Sequence, residues 1–173
     1  PKRISVWDLK TGRNVNEFFG AAAYVAYGTG DPARPDEIYA HNVLWKIDWE
    51  TYTTRPLTTI WRPTEPNMAP APNVDGHTGV FRMLTAKNGR QFATAGTPHG
   101  RQVMIYLRDG DLFRPMAGII NPWARKLPAL DEMKATLEKK WDDEGLRGHQ
   151  RPRNLFWQDS NGDGYVSAEE VTV

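Results

Sequence analysis

Four times along this chain a short run of β-branched and aromatic residues stops at a turn and then resumes. Ile4–Leu9 gives way to Asn14–Phe19 through Lys10-Thr-Gly-Arg13. Val43–Asp48 gives way to Pro56–Trp61, with Pro56 expected at the first position of its strand. Val80–Leu84 returns as Gln91–Ala95 through Asn88-Gly89, the pair suited to a type I′ turn, in which both central residues need positive φ. Val103–Leu107 returns as Leu112–Ile120 through Asp109-Gly110. A chain that alternates with period two and reverses every eight to twelve residues has few options, so the expected fold is mainly β, built of meandering antiparallel hairpins.

The segments between the hairpins fit this frame. Gly28–Pro35 and the proline-rich Arg62–Asn73 read as surface connections, because proline has no N–H to give to a sheet ladder. Only one stretch has helical spacing. Within 127–144, Leu130, Met133, Leu137 and Trp141 recur at intervals of three and four, Pro128 suits the first turn and Gly145 the stop. The whole of 1–173 is thus expected to be a single β-rich domain or a fragment of a larger one, with the helix 127–144 inserted. Pro1 follows no initiator methionine, and Val171-Thr-Val173 reads as a strand begun without a partner, so a longer parent chain is expected.

Several function classes lose support. The 22 lysines and arginines nearly balance the 21 aspartates and glutamates, which gives no electrostatic reason to expect nucleic acid. The longest apolar run, Phe18 to Tyr27, is broken by Gly20 and falls short of the roughly 20 residues that span a bilayer. With no cysteine there is no disulfide, no thiolate metal site and no thiol nucleophile.

The phrase Ile4-Ser-Val-Trp-Asp-Leu-Lys-Thr-Gly-Arg-Asn-Val15 resembles the hairpin of many β-propeller blades, and Leu44–Thr51 and Ile105–Gly110 echo it. From this resemblance the fold is expected to comprise several blades of a β-propeller. The open edges of a few blades would pair with other protein chains or with the missing remainder of the propeller.

Near the carboxyl end, twelve residues carry oxygen donors at fixed offsets. Calcium takes six to eight oxygens, and a loop that wraps one ion must place them at positions one, three, five, seven, nine and twelve. Here these are Asp159, Asn161, Asp163, the backbone carbonyl of Tyr165, Ser167 (through a water) and Glu170. Gly164 takes the sharp turn, and Val166 supplies an apolar anchor. The pattern over 159–170 resembles the EF-hand loop. The preceding Arg151–Gln158 carries a proline and reads as loop then strand, and only three residues follow Glu170, so the loop is expected to join strands and not a pair of helices. From about Val43 onward the chain looks like large secreted bacterial propeller proteins that carry such a loop. That resemblance implies Ca2+ as the bound ion and an extracellular or periplasmic setting.

The functional expectation is a calcium-binding, non-catalytic binding or assembly module. The alternative is a polysaccharide-acting enzyme, a lyase or hydrolase, with His77, His99, Arg101 and loop acids such as Asp75 on one rim. His41 and His149 complete the scattered histidines. Seven tryptophans and six tyrosines are many for 173 residues. Because Trp45, Trp49, Tyr52 and Trp61 share one hairpin, some must point outward, and exposed rings of this kind make carbohydrate an expected partner.

Overall fold

The computed structural model describes residues 3–19, 29–40, 43–61, 63–69, 81–96, 103–124 and 127–172. The first hairpin, β1 (Arg3–Asp8) and β2 (Arg13–Phe19), forms a two-stranded sheet of its own. Its turn is set by Asp8, whose carboxylate accepts the N–H groups of Lys10 (2.8 Å) and Thr11 (3.3 Å). Gly12 then takes a φ of +67° that other residues would resist.

Two four-stranded antiparallel meanders make up most of a second, ten-stranded sheet. The first is β3 (Thr29–Asp31), β4 (Arg34–Ala40), β5 (Val43–Asp48) and β6 (Thr53–Ile60). The second is β7 (Phe81–Thr85), β8 (Gln91–Gly96), β9 (Val103–Asp109) and β10 (Leu112–Ile120). They meet in a short parallel contact, Leu112 and Phe113 of β10 beside Thr59 and Ile60 of β6, extended by Trp61 N–H to Phe113 O (3.0 Å). The resulting order is β3-β4-β5-β6-β10-β9-β8-β7, a nearly closed, barrel-like sheet. Its two edges are bridged by side chains: Thr85 of β7 donates to Asp31 of β3 (2.5 Å) and accepts from Arg34 Nε (3.2 Å).

Beyond the bridging pair lies a polar cluster. Glu37, 8% exposed, accepts from Gln91 Nε2 (3.0 Å) and lies 3.3 Å and 3.5 Å from the guanidiniums of Arg34 and Arg108, and Arg108 also donates to Gln91 (2.9 Å). A buried carboxylate persists only with such partners.

The remaining elements cover one end. The 3₁₀ turn Pro128–Leu130 leads into α1 (Asp131–Asp143), which stops at Gly145 with φ +73°. Leu130, Leu137 and Trp141 are buried and join Trp61, Phe113, Ile120, Leu155 and Trp157 in one core. Strand β11 (Leu155–Gln158) pairs antiparallel with residues 117–120 of β10, and β12 (Val171–Thr172) pairs with β11.

Several expectations change. The hairpins do not stand as separate blades: both meanders join one sheet. Gly28–Pro35 is no simple connection, since Thr29–Asp31 and Arg34–Ala40 are strands. Pro35 of β4 is tolerated because it falls in the register slip with β3 and ahead of the pairing with β5, which begins at Glu37. Pro56 does not begin its strand but sits inside β6, where the register with β5 slips between Leu44 and Trp45. The Asn88-Gly89 turn is not type I′, for Asn88 keeps negative φ. Ala86 accepts from Gly89 (2.8 Å) and donates to Arg90 (2.8 Å), with Gly89 alone left-handed at φ +80°. Val171-Thr172 finds its partner in β11.

The edge cluster makes a testable demand. Glu37→Ala removes the acid that, among the described residues, pairs with both Arg34 and Arg108, whose side chains are 34% and 23% exposed, so the cost falls below that of a fully buried pair, at about 1–3 kcal/mol. Urea unfolding measures it, and a change under about 0.5 kcal/mol, the range of ordinary surface substitutions, would show that these groups do not hold the edges.

Candidate metal centre

The loop after β11 is placed by an irregularity in β10. Pro115 pairs with Tyr106 and Ala117 with Ile105, which leaves Met116 outside the register, and its carbonyl accepts the N–H of Asp159 (2.9 Å). From there the loop folds on its own carboxylates. Asp159 accepts from Gly162 N–H (2.8 Å) and Gly164 N–H (3.1 Å), Asn161 Oδ1 from Asp163 N–H (2.9 Å), and Asp163 Oδ1 from Tyr165 N–H (2.7 Å). The bonds from Gly162, Asp163 and Tyr165 reach the short spans that Asx side chains make in turns, and the one from Gly164 closes a wider loop on Asp159.

Gly164 is required twice over. Its φ is +76°, and a Cβ there would come within 2.8 Å of the Trp61 indole. The far side of the loop is pinned to residues 61–69. Gly164 O accepts from Ala69 N–H (2.8 Å), Val166 N–H donates to Asn67 O (2.7 Å), and Tyr165 Oη donates to Glu65 (3.0 Å). Val166 is the buried anchor expected of it, 1% exposed.

Glu170 lies deepest, in the 3₁₀ turn Ala168–Glu170. Its Oε1 accepts from Ser160 N–H (2.9 Å), Ser160 Oγ (3.1 Å) and Asn161 N–H (3.4 Å), and its Oε2 from Ser167 Oγ (3.2 Å) and Trp157 Nε1 (3.3 Å). One oxygen each of Asp159, Asp163 and Glu170 lies within 4.8 Å of the others. These three can hold a metal ion. Asn161 and Ser167 are each one hydrogen bond from the cluster, on Asp163 and Glu170. Tyr165 lies at the expected point of the loop, bridged to Met68.

The electrostatics divide unevenly. Burial pushes the Asp159 carboxyl up, and the charges of Glu170 and Asp163 push it further, against the lowering effect of its two amide donors. Burial would also raise Glu170, but the donors from Ser160, Trp157 and Asn161 outweigh it and hold the group below 4.5. Among the described residues no lysine or arginine pairs with any of the three acids.

The other expected site residues are not assembled by the described structure. His41, Asp75, His77, His99 and Arg101 lie outside the described residues. His149 is exposed in the 3₁₀ turn Gly148–Gln150. The proline-rich segment Arg62–Asn73 was expected to be a plain surface connection, yet its Asn67 and Ala69 brace the loop, beside Trp61 from the preceding arm. Asn67 has φ +68°, and its Oδ1 accepts from Ala129 N–H (2.9 Å), so one residue ties the loop to the start of the helix. The sequence signal for this was Pro66-Asn67, a pair suited to the two central positions of a type II turn. Among the described residues no helix is long and apolar enough to cross a membrane. No family model, curated protein or solved structure matches the chain.

Glu170→Gln tests the part played by the loop acids without metal. It should cost about 1–3 kcal/mol in chelated buffer, because an amide cannot accept every bond the buried carboxylate takes. Glu170 is depressed when folded, so its contribution is present above its ordinary 4.5 and lost as pH falls through the lower folded value. Melting of wild type and variant should therefore differ fully near neutrality and converge in acid. A difference independent of pH would show that the carboxylate's charge is not what the loop uses.

Proposed function

We propose that residues 159–170 form an EF-hand-like calcium site that fixes the end of a non-catalytic binding or assembly module. The convergence of Asp159, Asp163 and Glu170, loop positions one, five and twelve, carries this reading. Three carboxylates this close repel one another, and a divalent cation is the simplest way to relieve them. The donors are all oxygen, which favours calcium, magnesium or manganese over zinc or copper. A twelve-residue wrap favours the larger, less demanding calcium over the strict octahedron of magnesium.

Strands flank the loop, so the ion has no helix pair to swing apart as it does in calcium sensors, and its role is structural. It would clamp together the irregular point of β10, strand β11 and residues 61–69. The separate β1–β2 hairpin, whose strands join no other ladder among the described residues, supports a reading of the chain as part of a longer array that pairs with further strands of its own or of another chain. A site of this kind binds at about 0.1 to 1 mM, an affinity useful where calcium is millimolar, in an extracellular or periplasmic setting.

Calcium titration by calorimetry in chelated buffer should give a single site. At about ten times the dissociation constant the ion adds roughly 1.4 kcal/mol, or about 3–6 °C in melting temperature for a chain of this size. Asp163→Ala should abolish that increment and leave the metal-free melting almost unchanged, since Asp163 is exposed. Binding heat with wild-type magnitude in Asp159→Ala, or no heat in the wild type, would refute the site.

A further inference from the structure

The turn between β5 and β6 presents Trp49 about half exposed (49%) on a backbone fixed by Asp48. The Asp48 carboxylate accepts from Glu50 N–H (2.9 Å) and Thr51 N–H (3.1 Å), and Tyr52 closes the turn at φ +55°. A ring held on such a turn loses little freedom when a ligand covers it.

Two grooves of about 450 Å3 each share Trp49 and Ile47 as a common wall. Pro32, Pro35 and Ile38 line the first, which is apolar where it opens. Asp31 and Glu37 also border it, but their carboxylates are taken by Thr85, Gln91 and the guanidiniums. The second is polar, with Asp36, Lys46, Thr53, Thr54 and Arg55. Asp36 and Lys46 already pair at 2.6 Å, and the charges around this groove, Asp36, Asp48 and Glu50 against Lys46 and Arg55, nearly cancel. A charged polymer therefore finds no unmatched field here, and a purely apolar ligand would waste the polar side.

We propose that Trp49 and its two grooves bind a neutral polysaccharide. A pyranose ring has an apolar C–H face and a rim of hydroxyls, and this surface offers both complements side by side: the indole and the proline wall for the face, the Thr53, Thr54 and Arg55 groove for the hydroxyls. The neutrality of the groove selects against uronate and sulfated chains. The site shares no residue with the metal loop, so it stands whether or not that loop takes an ion.

Native gel electrophoresis through hydroxyethyl cellulose, laminarin, galactomannan and dextran, with alginate as the anionic comparison, tests it. At least one neutral polymer should retard the protein, insensitively to added salt. Trp49→Ala should weaken that retardation about tenfold, and Trp49→Tyr should keep part of it. All three proteins should melt alike, because the ring lies outside the core. The proposal is overturned if no neutral polymer retards the protein, if alginate alone does so and salt abolishes it, or if Trp49→Ala is retarded as strongly as the wild type. It is equally overturned if sedimentation shows self-association that Trp49→Ala removes, for the surface would then serve a second copy of the chain.

Discussion

Everything in this molecule hangs on a single interrupted edge. Strand β10 gives one side to β9 over most of its length, but it divides the other side between two neighbours: residues 112–113 pair with β6, and residues 117–120 pair with β11. The change of partner falls where Pro115 lacks an N–H and Met116 drops out of register with β9. Had the ladder run unbroken, β6 or β11 would have taken the whole edge. The two meanders would then lack their junction, or the acidic loop its mount. The carbonyl that the slip frees is the one that receives Asp159.

The loop hangs from that carbonyl at one end and packs on Asn67 and Ala69 at the other, so contacts within the protein hold its shape. Backbone amides from Gly162, Gly164 and Tyr165 already point at carboxylate oxygens, and Glu170 is held by five donors from Ser160, Asn161, Ser167 and Trp157. A cation entering such a loop would pay little to organise it, and most of its binding energy would appear as stability of the elements it joins. Asn67 extends that group of elements to the helix through Ala129, so residues far apart in sequence share one small region of contact.

The fold was legible wherever side chains alternated and illegible wherever proline or buried charge broke the pattern. The arms of all four hairpins follow from period two and turn chemistry, and the helix expected over 127–144 is found as the 3₁₀ turn Pro128–Leu130 and the α-helix Asp131–Asp143. Strands β3 and β4 were hidden because Gly30, Pro32 and Pro35 read as breakers, although Pro32 falls in the turn between them and Pro35 in a register slip. The interior role of Asp31, Glu37 and Gln91 was equally hidden, since polar residues on a strand normally mark its wet face; only the meeting of β3 with β7 turns them inward to one another. In the candidate site the acids were legible from spacing alone. Their support from Trp61, Asn67, Ala69 and Met116 was not, because it comes from tertiary neighbours that no local pattern announces.

Two acidic clusters among the described residues resolve the same problem in opposite ways, and the contrast bears on function. At the sheet edges Glu37 is nearly buried, and Arg34 and Arg108 stand beside it, so the cluster is complete within the protein. At the loop, three acids converge with no basic residue paired to them among the described residues. Hydrogen bonds satisfy Glu170 but leave Asp159 under pressure from burial and from its neighbours' charge. A purely structural loop could relieve that pressure with one lysine, as the sheet edge does with arginine. Asp159 and Glu170 are drawn out of water beside Asp163 with no base paired to them among the described residues, and that arrangement, added to the spacing of the residues, is the physical argument that a cation can be held here.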